Sequence, residues 1–121
     1  MRIAMILPSQ FPPDIRVEKE FETLNEEHEI FLLCPRRGEE PVRENWQGMK
    51  IHRVFSRAQR WWSQWSLMSR CHSGAWESAI DKFIVTVNAD ALHVHDLPLL
   101  GPALTAARNQ RIPVVADLHE N

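Results

Sequence analysis

Residues 2–35 read RIAMILPSQFPPDIRVEKEFETLNEEHEIFLLCP, and the alternation within this stretch decides the fold. Arg2 to Leu7 is a short, continuous apolar run stopped by Pro8, the pattern of a strand buried on both faces as in a parallel sheet. Asp14 is suited to cap a helix. Val17, Phe21, Leu24 and His28 then recur at helical spacing, with Glu18, Lys19, Glu22 and Glu26 on the other side. The spacing predicts a helix over about residues 15–27. Glu29 to Cys34 is a second buried strand, ended by Pro35. Strand, helix and strand in that order suit a parallel pair, because parallel neighbours need a crossover connection.

The same alternation continues outward. A polar, glycine-bearing loop is expected through Gly48, followed by Met49 to Phe55, which alternates apolar with polar and reads as a third strand with one solvated side, near a sheet edge. Apolar positions 61, 65, 68, 72, 76, 80, 83 and 87 keep a helical stripe in which Gly74 is the weak point. Ala91 to His95 is the fourth strand. Leu97 to Gln110 is a helix with Pro98 tolerated in its first turn, and Pro113 to Leu118 is the fifth strand. The expected architecture is α/β, one doubly wound parallel sheet. The chain then stops at Asn121, directly after a strand of buried type, so it reads as truncated or as pairing with another chain through that last strand.

The 121 residues are 44% apolar and 25% charged, which suits one globular domain. A formal charge of -2 argues against nucleic acid as a partner, which would call for a clustered basic excess. The charge is uneven, with Lys50, Arg53, Arg57, Arg60 and Arg70 unaccompanied by acids across residues 50–70. Cys34 and Cys71 lie far apart without CxxC spacing, so they read as reduced, buried thiols rather than a zinc ribbon or redox motif. The N-terminal apolar run is too short for a signal peptide, and no run approaches the ~20 residues that span a membrane. A cytoplasmic protein, or one at the inner face of a membrane, is expected.

In open parallel sheets the ligand crevice lies beyond the carboxyl ends of the strands, where the strand order reverses. The loop of residues 8–14, Cys34 to Arg37, His95-Asp96 and Asp117 to Glu120 are expected to converge there. The strand period of two puts His93 and His95 on one face with Val94 opposite. For His93 a hydrogen-bonded core role and a functional one are both open. His95 ends its strand, where a side chain can reach the crevice, and His119 repeats the arrangement at the neighbouring strand end. Asp96 and Glu120 could orient a histidine or bind a hydroxylated substrate, and Asp96 also suits the cap of the helix beginning at Leu97. Asp14 stiffens a helix start whose free N–H groups, with Arg16 nearby, could meet an anion. The first loop has no glycine, which excludes a dinucleotide fingerprint and a P-loop there. In Arg60-Trp61-Trp62-Ser-Gln-Trp65, two adjacent tryptophans cannot both point inward from one helix. An exposed Trp61 or Trp62 beside arginine is what a lipid-headgroup contact or an acceptor-binding lip looks like.

Phe11-Pro-Pro-Asp-Ile-Arg-Val-Glu-Lys-Glu20, Ala89-Asp-Ala-Leu-His-Val-His-Asp-Leu-Pro-Leu-Leu100 and Ala116-Asp-Leu-His-Glu120 together resemble the N-terminal half of the family 4 (group 1) retaining glycosyltransferases. The resemblance runs in order over nearly the whole chain. It implies a GT-B enzyme whose Rossmann-like N-terminal domain, incomplete in residues 1–121, binds the acceptor, while a C-terminal half absent from this chain binds a nucleotide-sugar through paired glutamates. On this resemblance His119 sits by the donor sugar and the reacting centre, and His95 and Asp96 face the acceptor. The implied reaction is retaining transfer of a sugar to an acceptor hydroxyl, in cell-surface glycan or glycolipid synthesis, with a glycan or lipid-linked acceptor. It implies no cofactor and no required metal, and little activity for this chain unaided. Members often have glycines in the first loop near the donor phosphates, and this loop has none.

Two other readings compete. His93, His95, Asp117 and His119 could be the ligands of a metal-dependent hydrolase, since His-x-His plus carboxylate is a common ligand set. The chain could also be a non-catalytic, truncated transferase that pairs with another subunit.

Overall fold

The computed structural model describes residues 1–55 and 74–117. Trp61, Trp62, Trp65, Cys71, His119 and Glu120 lie outside the described residues. Six strands form one sheet in the order β3-β4-β2-β1-β5-β6: β1 (Arg2–Ile6), β2 (Glu29–Pro35), β3 (Arg43–Trp46), β4 (Met49–Val54), β5 (Ala91–His95) and β6 (Val114–Asp117). All neighbours are parallel except β3 and β4. The helices are α1 (Ile15–Leu24), α2 (Gly74–Val87) and α3 (Leu100–Gln110), the last entered through a 3₁₀ turn at Leu97–Leu99.

The central strands are apolar on both faces because both are covered. Ile3, Met5, Ile30, Leu32 and Ile51 point to one side and bury Val17 and Phe21 of α1. Ala4, Ile6, Phe31, Leu33, Leu92 and Val94 point to the other and bury Trp76, Ile80, Phe83 and Val87 of α2 with Ala103, Ala106 and Ala107 of α3. The helical stripe read from the sequence is thus the core contact of α2 over its described length. Cys34 is buried, which pushes its thiol up to about 11 and leaves it unreactive. No helix among the described residues is long and apolar enough to cross a membrane. The architecture is the expected α/β, Rossmann-like one.

One element corrects the sequence reading. Residues 43–46, expected in a polar loop, form β3, antiparallel to β4 and exposed at every second position. Arg-Glu-Asn-Trp carries no strand pattern of its own, and its pairing comes from the tight turn at Gln47-Gly48. Both turn residues have positive φ, 51° and 101°, the handedness that two-residue hairpins favour. Asn45 Oδ1 accepts from the Gly48 N–H at 2.8 Å and closes the turn. Helix α1 also stops at Leu24 rather than residue 27, with Asn25 as its cap.

Candidate functional site

The strand order reverses at β1. The chain runs outward through β2 and β4, then crosses back to β5 on the other side of β1, so the crevice lies beyond the carboxyl ends of β1 and β5. Here Asp14 caps α1, its Oδ1 accepting from the N–H groups of Arg16 at 3.0 Å and Val17 at 3.3 Å. Arg16 turns across the crevice. Its Nη1 donates to Asp96 Oδ1 at 3.2 Å and its Nη2 to Asp14 Oδ2 at 3.4 Å. The Asp96 carboxylate, more than that of Asp14, raises the Arg16 pKa above its usual value. Asp96 occupies the cap position before Leu97, yet its side chain makes no cap hydrogen bond and serves Arg16 instead.

Below this surface pair lies a group the sequence reading did not assemble. His93 and His95 stack with ring centroids 4.8 Å apart on the α1 side of β5. Both Nε2 atoms converge on Glu20 Oε2 of α1, at 3.3 and 3.1 Å. Asp117 Oδ2, at the end of β6, lies 3.9 Å from His95 Nδ1. His95 is fully buried, whereas Glu20 and His93 keep partial exposure. Sequence position puts His95 at the acceptor-facing edge, but its full burial against Glu20 places it beneath the crevice, and Arg16 and Asp96 present the wetter surface above it.

Distance alone would make Glu20 and His95 an ion pair, but their electrostatics oppose it. Burial, reinforced by a hydrogen bond and charge from Asp117, raises the Glu20 carboxyl to about 8. Burial, reinforced by His93, lowers His95 to about 4, and burial likewise lowers His93. At neutral pH the group holds a protonated acid against two neutral imidazoles. Titratable groups displaced this far from their usual values are a common mark of functional sites.

The first loop is held down rather than free. Phe11 is fully buried and meets Trp46 edge-on at 5.1 Å. Arg53, itself buried, donates to the carbonyls of Phe11 and Pro41, each at 3.0 Å, and to Glu44 at 2.9 Å. Arg37 reaches Gln10 at 2.7 Å, which joins the loop to the end of β2. A separate groove of about 430 Å³ between β4 and α2, lined by His52, Phe55, Ala79 and Lys82 among others, shares no residue with the crevice cluster.

Of the residues singled out by sequence, the structure brings together Asp14, Arg16, His93, His95, Asp96 and Asp117; His119 and Glu120 lie outside the described residues. Glu20 and Arg53 were missed. The available signal for Glu20 was its place one turn after Arg16, beside the buried stripe of Val17 and Phe21. No match was found among curated proteins or among solved structures. Residues 15–121 match the family model of the glycosyl transferase 4-like domain, and with the crevice at the expected end of the sheet this chain belongs to that glycosyltransferase family.

Proposed function

We propose that this chain is the acceptor-side domain of a retaining glycosyltransferase that moves a sugar from a nucleotide-sugar to an acceptor hydroxyl in cell-surface glycan or glycolipid synthesis. The observation that carries the reading is the crevice at the strand-order reversal of a glycosyl transferase 4-like domain, lined by Arg16 and Asp96. The Asp96 carboxylate can accept a hydrogen bond from a sugar hydroxyl. Asp14 and Arg16, at the start of α1, present the crevice edge nearest the donor phosphates. The family resemblance assigns His119, two residues after β6 in sequence, to the reacting centre, while His95 supports the floor from beneath. A C-terminal half supplies most donor contacts and the positive groups that stabilise the leaving phosphate. Trp61 and Trp62, flanked by arginines, suit an acceptor held at a membrane surface. Family membership favours transfer over metal-dependent hydrolysis.

The test is a transfer assay on the expressed full reading frame that contains this sequence, with a panel of radiolabelled nucleotide-sugars and polyprenyl-linked acceptors. Label moving from one donor into the lipid or glycan fraction, and lost in Asp96→Ala, supports the reading. Turnover of no donor across the panel contradicts it.

A further inference from the structure

We infer that Glu20, His93 and His95 form a binding site for one divalent d-block cation of the zinc type. The inference goes beyond the transferase reading and stands without it. His93 and His95 sit two residues apart on the same face of β5, and both aim Nε2 at one carboxylate oxygen of α1, Glu20 Oε2. The three ligand atoms lie within 4.8 Å of one another. In tetrahedral coordination, bonds of about 2.0–2.1 Å to imidazole and carboxylate place neighbouring ligand atoms roughly 3.3 Å apart. The Nε2 to Oε2 separations of 3.3 and 3.1 Å are already those edges. The third edge, between the two Nε2 atoms, is at most 4.8 Å and closes to the same length when an imidazole moves inward by up to about 1.5 Å.

A second, independent observation points the same way. The His95 side chain is fully buried, and neither of its ring nitrogens makes a well-formed hydrogen bond; Glu20 Oε2, though 3.1 Å from His95 Nε2, is not aligned to bond it. Buried polar atoms are almost always satisfied, so orphaned groups converging on one point call for a ligand between them. Asp117 lies on the far nitrogen of His95, where a carboxylate usually orients a metal-bound imidazole. Two imidazoles and one carboxylate suit zinc and its neighbours rather than magnesium or calcium, which take oxygen ligands. Three protein ligands leave the fourth corner to water, on the side where His93 and Glu20 keep their exposure. Coordination by Glu20 releases its carboxyl proton to solvent.

The experiment is calorimetric titration of zinc sulfate into tag-free, chelator-treated protein, wild type and the variants Glu20→Gln and His93→Asn, each checked for folding by circular dichroism. One zinc per chain is expected, with binding at least ~100-fold weaker in each variant and a zinc-dependent rise in Tm confined to the wild type. Cobalt(II) loading of the wild type gives a reading that needs no variant, because four-coordinate cobalt absorbs strongly in the visible. Absence of saturable zinc binding, a six-coordinate cobalt spectrum, or binding undiminished in both folded variants overturns the site.

Discussion

The Arg16 guanidinium and the Asp96 carboxylate meet at 3.2 Å across the point where the strand order reverses. Arg16 belongs to the first turn of the helix after β1, and Asp96 is the first residue after β5, so the contact ties the two walls of the crevice together. Asp96 holds φ 75° and ψ 141°, close to a region that only glycine occupies without cost. A strained, paired carboxylate at a ligand crevice is where function is expected to override local preference.

Asp96 can be tested through that conflict. Asp96→Ala loses the contact with Arg16 and keeps the strain, whereas Asp96→Gly loses the contact and relieves the strain. Urea denaturation is expected to find the glycine variant more stable than the alanine variant by about 1 kcal/mol. Equal stabilities would show that the backbone conformation at Asp96 carries no strain.

Glu20 sets a pH dependence whose sign follows from its raised pKa. Folded, it titrates near 8; unfolded, near its ordinary 4.5, so between these values the folded chain holds the extra proton. Stability from this group is therefore present at acid pH and lost as pH rises from about 4.5 to 8. His95 acts in the opposite sense. It titrates near 4 folded and near 6.5 unfolded, so its contribution is lost as pH falls through that window, and His93 shifts in the same direction. Thermal melts in chelator across pH 4 to 8.5 should show the wild type losing stability relative to Glu20→Gln as pH rises. A pH-independent difference between the two would contradict the assignment.

Arg53 is expected to govern the first loop. Arg53→Met fills the same space but leaves the carbonyls of Phe11 and Pro41 without their donor. A loss of roughly 2 kcal/mol is expected in chemical denaturation, from one buried acceptor at Phe11, a part-buried one at Pro41 and one charged partner. Amide hydrogen exchange should rise in the loop of residues 8–14 and near Glu44, and leave α3 unchanged. Uniform exchange increases would mean that Arg53 supports the fold as a whole and not this loop.

The hairpin gives a fourth prediction. Gly48 sits at φ 101° with room for a methyl group, the nearest atom to an added Cβ lying 3.8 Å away on Phe21. Gly48→Ala is thus penalised by backbone conformation alone, by roughly 1 kcal/mol or more. An unchanged denaturation midpoint would show that the turn conformation carries no such penalty.

The buried strands were legible because parallel sheets leave continuous apolar runs, as in Ile3 to Leu7 and Ile30 to Cys34. β3 was not, because an edge strand of Arg, Glu, Asn and Trp takes its pairing from β4 and its turn from Gly48. In the site, Arg16, His95 and Asp96 stood out as chemistry at element ends. Glu20 looked like one more acid on a solvated helix, and only the docking of α1 over β5 brings it to two histidines far along the chain. Asp117 was read as a ligand of a different set, since sequence spacing cannot say which carboxylate faces which imidazole.

The transfer proposed for the crevice between β1 and β5 retains the donor's anomeric configuration. The direct measurement is the anomeric configuration of the product formed by the expressed full reading frame, read from the anomeric proton coupling in NMR. The product is expected to carry the donor's configuration, with its formation abolished in Asp96→Ala. An inverted anomer, or undiminished product from a folded Asp96→Ala, would contradict it.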